Sequence, residues 1–316
     1  MRIISDEEAR SVLSMSEAIN AIESALVDYS NKISTVLPRA MIRAPNGLYR
    51  VMTASLPSKN VVGSKQGFRV SEQKGDKSSS YASEIVSLYD FHSGELLAIV
   101  KSHSIDEFRT AAAAAVGSKY LARRDSHIVG LFGSGLHAGP QIDGLASILG
   151  ITKVKVFSRS SANREKFCAN MGKRLGLDFM PVSTPADAVR DSDIIVEATT
   201  SATPVFDGRD LVPGIHVTSI GGGYGGMRQL DDETIRRANL LVVGSKQEIL
   251  SEGSGDVLQP IASGARRWDE IVEIADIVSH KVEGRRLLSD ITVYKSLGMG
   301  LYDVALANLV YEKVNS

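Results

Sequence analysis

The chain has 316 residues, of which 43% are hydrophobic, and its 36 lysines and arginines nearly balance its 37 aspartates and glutamates. At about 100–200 residues per domain, this length predicts two domains with separate cores, and the single cysteine excludes a small scaffold held by disulfides. A net charge of -1 provides no basic surface for phosphate backbones, so nucleic acid is not expected as a partner.

The N-terminal residues 1–8 turn acidic where a secretory signal requires its apolar core, and no apolar run approaches the length of a membrane span. We therefore expect a cytoplasmic protein without a membrane partner. Cys168 has no second thiol and no flanking histidine, which indicates a buried or half-buried filler of the core.

The first hundred residues combine a helix with a block of strands. Ser14 and Glu17 have the spacing of a capping box, and apolar residues follow at helical intervals, which predicts an amphipathic helix. From about residue 38 to about residue 100, short apolar or alternating runs are separated by turn signals, and this pattern predicts mostly strands. The alanine-rich run 110–121 then predicts a helix with a small-residue face that bridges the two domains.

Beyond this helix, strands and helices alternate along the chain. The alternation predicts an α/β fold, a Rossmann-type doubly wound parallel sheet covered by helices. The expected strands are 127–132, Lys153–Phe157, 194–198 and 216–220, and the expected helices are one from about residue 138 and one over 163–175. The last of these strands runs into the glycine-rich loop 221–226, at the edge of the sheet where such folds bind ligands.

A glycine motif follows the first of these strands. Gly133 permits a tight turn, Gly135 lets backbone amides approach a pyrophosphate, and Ala138 keeps the following helix close to the strand. The helix N-terminus then faces the phosphates. An unrelated strand–helix turn is the alternative, but the strand before the motif, the helix after it and the second strand beyond all favour dinucleotide binding.

The second strand of this region ends in Ser158, Arg159 and Ser160, without the carboxylate that usually holds the ribose hydroxyls of NAD. Two hydroxyls and a guanidinium suit a 2′-phosphate, so the sequence favours NADP(H). A solvated surface arginine is the alternative reading of Arg159, and it leaves NAD(H) open.

Two further patterns indicate neither a metal site nor a catalytic pair. The six histidines include no pair at helical spacing, so no metal site is expected. The acidic residues in the segment 252–256 are interpreted as exposed turn residues rather than as an acid–base pair.

Several segments together resemble the ornithine cyclodeaminase/mu-crystallin family along essentially the whole chain. They are 37–39, 51–52, 63–65, 104–112, 220–221 and 290–298. The resemblance implies a dinucleotide domain, 113–298, inserted into a mixed α/β substrate-binding and dimerisation domain, 1–112 plus 299–316. It also implies a homodimer, and a substrate that carries a carboxylate next to the reacting carbon.

The resemblance also assigns roles to individual residues. Arg39 and Arg109 match the family's substrate-carboxylate clamps, and Lys65 matches the lysine beside the reacting centre. Two guanidinium forks can fix a small acid against a nicotinamide, and a desolvated lysine can polarise or protonate an imine. The expected cofactor contacts are Thr110, Gly133, Ser134, Gly135, Leu136, His137, Ala138, Ser158, Arg159, Ser160, Thr199, Thr200, Ile220, Gly221, Ser296 and Gly298.

The chain departs from the family pattern at two places. The resemblance places Gly223 where the cyclodeaminases have an acid–base aspartate, which puts cyclodeamination in doubt. In an alternative interpretation, the phenol of Tyr224 takes the role of that aspartate. Arg50 stands where the ornithine enzymes have an acidic residue, so it would repel an ammonium and accept a second carboxylate, unless it is solvated. Tyr81 falls where some relatives carry a hydroxyl that contacts substrate.

These observations favour an NAD(P)H-dependent reductase of an imine or 2-oxo acid, which yields an amino acid by hydride transfer. Three alternatives stay open at this point: a cyclodeaminase with bound NAD, an oxidative amino-acid dehydrogenase, and a non-catalytic protein that binds the cofactor and a small acid.

Overall fold

The computed structural model describes residues 1–70, 82–222 and 226–316. The chain divides into two compact units. The first unit comprises Met1–Arg109 and Gly298–Ser316, and the second unit comprises Thr110–Leu297. No helix among the described residues has the length and apolarity needed to cross a membrane.

The first unit is built on a mixed sheet with the strand order β1-β6-β5-β4-β3-β2. Strand β1 pairs with β6 in parallel, and the remaining neighbours are antiparallel. The strands are β1 Arg2–Ile4, β2 Ala40–Ala44, β3 Gly47–Leu56, β4 Val61–Val70, β5 Ala82–Asp90 and β6 Leu96–Lys101. They confirm the block of strands that the sequence predicts between residues 38 and 100.

Among the described residues of the first unit, the α-helices are α1 Asp6–Val12, α2 Met15–Ser30, the start of α3 His103–Leu121, and α11 Gly300–Asn315. Ser14 is the N-cap of helix α2, and its side chain accepts a hydrogen bond from the Glu17 amide, as predicted. Helix α11 packs on β3, β4, β5 and α2. Its first residue, Gly300, lies so close to β3 that a β-carbon would sit 2.8 Å from the amide nitrogen of Thr53.

The second unit contains a parallel sheet with the strand order β13-β12-β14-β11-β10-β7-β8-β9. Its strands are β7 Ile128–Phe132, β8 Lys153–Phe157, β9 Asp178–Pro181, β10 Ile194–Glu197, β11 His216–Ser219, β12 Leu240–Val243, β13 Val272–Glu273 and β14 Thr292–Lys295. From β9 to β11 the order is that of a doubly wound dinucleotide-binding sheet, with the direction of winding reversed between β7 and β10. The predicted Rossmann-type fold is therefore confirmed.

The helices of the second unit are the remainder of α3, then α4 Ala138–Ala146, α5 Ser161–Leu175, α6 Pro185–Val189, α7 Asp232–Arg237, α8 Lys246–Glu252, α9 Gly255–Ala262 and α10 Ile274–Val278. Among the described residues, two apolar cores pack on this sheet. Alternate residues of β10 enter different cores, Ile195 one and Val196 the other, because successive side chains of a strand point to opposite faces. Cys168 is buried in the second core, where burial raises the pKa of its thiol to about 11, so the filler interpretation is confirmed.

Candidate active site

Strand β4 presents Gly63, Lys65 and Gly67 on one face, because side chains two residues apart on a strand point the same way. Arg50 of β3 and Glu84 of β5 are the direct cross-strand neighbours of Gly67. A β-carbon at Gly67 would collide with Glu84. The glycine thus leaves room for an ion pair between Arg50 Nη2 and Glu84 Oε1, 2.5 Å apart, across the middle strand.

The ammonium of Lys65 is buried among three carboxylates. Asp106 of α3 is the nearest, Glu84 lies 3.3 Å away, and Asp303 of α11 lies 3.4 Å away. Lys65 is 4% exposed and Asp303 is completely buried. Burial opposes the charged form of Lys65, but Asp303 and Asp106 outweigh it, so the pKa of Lys65 is raised above its ordinary value.

This raised pKa bears on the proton-donor role expected of Lys65, which stays a prediction. Desolvation alone would make Lys65 a ready proton donor, but its surrounding carboxylates hold the proton on it instead. The same ion pairs lower the pKa of Glu84: burial alone would raise it, and Lys65 and Arg50 outweigh that effect. Lys65 and Glu84 therefore both remain charged at neutral pH.

Arg109 lies one helical turn after Asp106 on α3, with Nη2 at 2.6 Å from the Asp106 carboxylate and Nε at 3.5 Å from that of Asp303. Burial alone would lower the pKa of Arg109, but the two carboxylates raise it, so the guanidinium stays charged.

The structure brings Arg39 and Arg109 together at Gly298. Arg39 is 7% exposed, and its Nη2 donates to the carbonyl oxygen of Gly298 at 2.9 Å. A β-carbon on Gly298 would collide with the guanidinium of Arg109. Gly298, expected among the cofactor contacts, therefore lies against both arginines in the first unit.

We call Arg39, Arg50, Lys65, Glu84, Asp106, Arg109 and Asp303 the charged cluster. Its four cations and three carboxylates leave one net positive charge among the described residues. Sequence reasoning missed all three carboxylates. Asp106 lies within a recognised segment, one turn before Arg109, whereas no local signal marks Glu84 or Asp303.

The glycine motif of the second unit has the geometry of a phosphate cradle. Gly133 has φ +110°, a conformation that disfavours other residues, and a β-carbon there would collide with the backbone of the β10 loop. Gly135 faces open space, and Leu136 is 57% exposed. Helix α4 begins at the fully buried Ala138, and its N-cap residue His137 provides no side-chain cap. An uncapped helix N-terminus behind an open glycine loop fits a pyrophosphate.

The end of β8 adjoins this loop. Ser134 Oγ donates to Ser158 Oγ at 3.1 Å, and Ser160 forms the N-cap of α5. Arg159 is exposed. Arg164, which sequence reasoning missed, is buried in the first turns of α5 and donates to the Ser158 carbonyl at 2.7 Å. The guanidinium of Arg164 and the N-terminus of α5 therefore lie at this strand end, next to the exposed residue Arg159.

A buried polar network links the last residues of β10, β11 and β14, where Glu197, Ser219 and Lys295 are direct cross-strand partners. The Glu197 carboxylate accepts from Ser219 Oγ at 2.7 Å, from the Gly221 amide at 3.1 Å, and from Thr199 through both its amide and its hydroxyl. Lys295 Nζ donates to Ser219 Oγ at 3.0 Å and to the Gly221 carbonyl at 2.8 Å.

Asp256 also belongs to this network. The interpretation of the acidic residues in segment 252–256 as exposed turn residues is therefore wrong. Asp256 is fully buried and Glu252 is 6% exposed, so neither is an exposed turn residue. Asp256 Oδ2 lies 2.5 Å from Lys295 Nζ, while Oδ1 accepts from the amides of Gln229 and Leu230 at 2.6 and 2.8 Å. The acidic side chain points inward because Lys295 and two backbone donors compensate its charge.

The remaining expected contacts are scattered along the second unit. Thr110 and Ile220 are half-buried, Thr200 is exposed, and Ser296 is 7% exposed with its amide bonded to the Ser219 carbonyl at 2.9 Å. Tyr81, Gly223 and Tyr224 lie outside the described residues.

A model of the ornithine cyclodeaminase/mu-crystallin family matches residues 2–316. The structure of Thermococcus litoralis Δ(1)-pyrroline-2-carboxylate reductase, in complex with NADH and L-proline, is 33% identical, has a TM-score of 0.94, and covers 100% of this chain and 98% of that one. The Δ(1)-pyrroline-2-carboxylate reductase of Bacillus cereus is 30% identical over 99% of this chain and 96% of its own. An archaeal alanine dehydrogenase dimer with bound NAD is 27% identical, has a TM-score of 0.91, and covers 99% of this chain and 95% of that one.

Proposed function

The chain belongs to the ornithine cyclodeaminase/mu-crystallin family, and from this premise we propose that it is an NAD(P)H-dependent reductase. Its substrate is an imine with a carboxylate on the reacting carbon, either supplied as such or formed with loss of water from a 2-oxo acid and ammonia or an amine, and its product is an amino acid. One observation carries the proposal: Arg39 and Arg109 meet at Gly298, beside the buried ammonium of Lys65. The two Δ(1)-pyrroline-2-carboxylate reductases support it, since their named substrate is a cyclic imine of this class.

The charged cluster selects and orients this substrate. Guanidinium forks bind a carboxylate through two parallel hydrogen bonds, so Arg39 and Arg109 together hold the acid group and fix the position of its α-carbon. The cluster's one net positive charge complements a single substrate carboxylate. Arg50 contributes less to this charge than the sequence implies, because Glu84 compensates it.

Bound NAD(P)H supplies the hydride. When the imine nitrogen carries a proton, the carbon accepts the hydride, the electron pair of the C=N bond moves onto nitrogen, and the amine forms without a proton donor at that step. Glu84 and Asp106 partly offset the cations of the cluster, so the cluster opposes this protonated form less than its cations alone would. Lys65 holds the carboxylates in place and keeps its own proton.

The second unit fits the dinucleotide. Gly133, Gly135 and the N-terminus of α4 would hold the pyrophosphate. We infer a preference for NADP(H), because Arg159, Arg164 and the N-terminus of α5 would surround a 2′-phosphate.

Amino-acid oxidation is the same hydride step run in reverse, and the similarity to an alanine dehydrogenase keeps it as the second candidate. Cyclodeamination additionally requires a proton shuttle at the substrate amine, and the family's aspartate is replaced by Gly223 in this chain.

We also propose that the protein is a homodimer joined through its first unit. Strand β2 is an edge strand, and Ile42 on it is 66% exposed, with the preceding Leu37 55% exposed. An exposed apolar edge is a surface that a second copy covers. Light scattering should give twice the chain mass, and Ile42→Lys should shift it toward the monomer; a monomeric wild type would overturn this proposal.

The reductase activity is tested by following loss of NADPH or NADH absorbance with cyclic imines, with pyruvate plus ammonia or methylamine, and with glyoxylate. Consumption of reduced cofactor with a cyclic imine, and formation of the amino acid, is the expected result. Ammonia release from ornithine with catalytic NAD and no net reduction would instead establish a cyclodeaminase. Binding of cofactor and acid without turnover of any substrate in either direction would favour the non-catalytic alternative.

A further inference from the structure

The peptide group at Gly221 is held from both sides by buried charges. Its amide donates to Glu197, and its carbonyl accepts from Lys295. A β-carbon on Gly221 would collide with the Glu197 carboxylate, so only glycine permits this approach. The Asp256 carboxylate is bonded to Lys295 and to the amides of Gln229 and Leu230, which ties down the far end of the same loop.

The network carries a net charge. Its formal charges are those of the carboxylates of Glu197 and Asp256 and the ammonium of Lys295, and all three residues are 0% exposed. Two carboxylates against one ammonium leave a charge of -1 that water does not screen. In sequence, residues 223–225 are Gly-Tyr-Gly and carry no side-chain charge at neutral pH.

The position of this charge in the sheet indicates which part of a bound dinucleotide lies nearest to it. In doubly wound sheets the dinucleotide lies across the carboxyl ends of the strands at the point where the winding reverses, here between β7 and β10. The glycine motif after β7 takes the pyrophosphate, and the strand end at Ser158 takes the adenosine ribose. The nicotinamide half then falls on the side of β10 and β11, whose last residues are Glu197 and Ser219.

We propose that the Glu197–Lys295–Asp256 network biases the site toward the oxidised cofactor. This inference rests on the proposed dinucleotide function. The oxidised nicotinamide ring carries a positive charge that the reduced ring lacks, so a buried negative charge stabilises the oxidised form selectively. Tighter binding of the product form makes the bound reduced cofactor a stronger hydride donor, because the binding and redox equilibria are linked.

A series of variants separates charge from structure. Asp256→Asn raises the network charge to 0 while its Oδ1 keeps both backbone hydrogen bonds, and Lys295→Met lowers the charge to -2. The double variant Asp256→Asn/Lys295→Met restores -1. Ser219→Ala is the uncharged control, because it removes hydrogen bonds to both Glu197 and Lys295 without changing the charge.

The readout is the ratio of the dissociation constants of oxidised and reduced cofactor, measured by calorimetry and by NADPH fluorescence without turnover. We expect Asp256→Asn to shift this ratio on the order of tenfold toward the reduced form and Lys295→Met to shift it the other way. The double variant and Ser219→Ala should keep the wild-type ratio. Affinity for ADP-ribose, which lacks the nicotinamide, should change little, and circular dichroism identifies any variant that fails to fold.

Two outcomes would overturn the inference: a ratio that is constant across the charge series, or a shift in Ser219→Ala as large as that in Asp256→Asn. Failure of the wild type to bind either form of the cofactor would instead refute the proposed function itself. The double variant keeps the test decisive when one single variant is unstable, because it carries the wild-type charge without the ion pair.

Discussion

Replacing Lys65 by methionine tests whether the charged cluster is held together by the buried ammonium. The variant keeps most of the side-chain volume but leaves three carboxylates without their shared cation. Removing one partner from a buried ion pair destabilises a protein by about 3–5 kcal/mol. Each carboxylate keeps one guanidinium, Arg50 for Glu84 and Arg109 for the other two, so we expect the lower end of that range, about 3 kcal/mol.

The assay must report on the first unit alone. The single tryptophan, Trp268, belongs to the second unit, so its fluorescence does not serve. Hydrogen exchange of peptides from β4 and α11, at fixed protein concentration and without cofactor, measures the free energy of opening of the first unit. Lys59→Met is the matched control, because Lys59 is an exposed lysine of the same unit and its loss should change stability by less than about 0.5 kcal/mol.

The stabilisation that Lys65 provides depends on pH in a definite direction. Because the pKa of Lys65 is raised in the folded protein, its stabilisation is fully present below the ordinary value of 10.5 and is lost as pH rises through the raised value. The difference between wild type and variant should therefore be constant from about pH 7 to about pH 10 and shrink above that. Equal exchange rates in Lys65→Met and Lys59→Met would refute the reasoning, as would a difference that declines already between pH 7 and 9.

Three further variants address single residues. Arg109→Lys keeps a cation near Asp106 but loses the fork, so kcat/KM should fall about 100-fold while the Kd for NADPH changes little; an unaltered KM contradicts the clamp. Arg159→Asp should shift the kcat/KM preference at least about tenfold toward NADH, since it repels a 2′-phosphate, and an unchanged preference removes the argument from that strand end. Burial, with Arg285 nearby, lowers the pKa of His216 to about 3 from 6.5, so the unfolded chain binds an extra proton between these values. Urea unfolding should show a loss of about 2 kcal/mol between pH 8 and pH 5 that His216→Gln abolishes, and equal pH dependence in both proteins would contradict the assignment.

The second unit is the part of the fold that the sequence predicts best. The glycine motif requires φ +110° at Gly133, which few residues other than glycine adopt, and it leaves open space beside Gly135. Strand β7 is an apolar run and β8 alternates lysine with valine before Phe157, and the alternation of these strands with helices predicts their parallel pairing. Strand β14 is missed because it begins and ends in polar residues, and β12 because a four-residue apolar run is equally typical of a buried helix.

The charged cluster shows the limit of sequence reasoning. Arg39, Lys65 and Arg109 are found only through the family resemblance, since an isolated basic residue is usually a surface charge. Glu84 and Asp303 are separated by more than 200 residues of chain and approach Lys65 only through sheet register and the packing of α11. Their effect on the pKa of Lys65, which reverses the simple expectation from burial, depends on those tertiary distances.

Helix α11 also has a consequence for the order of folding. It packs on three strands of the first unit and contributes Asp303, yet it follows the entire second unit along the chain. A ribosome therefore finishes the contiguous second unit while the sheet of the first unit still lacks the helix that covers it. The second unit can fold during synthesis, whereas the first must wait for contacts of very large sequence separation, whose closure is slow. Until then its apolar strands remain exposed, and this interval is when the nascent protein is most open to aggregation and to chaperone binding.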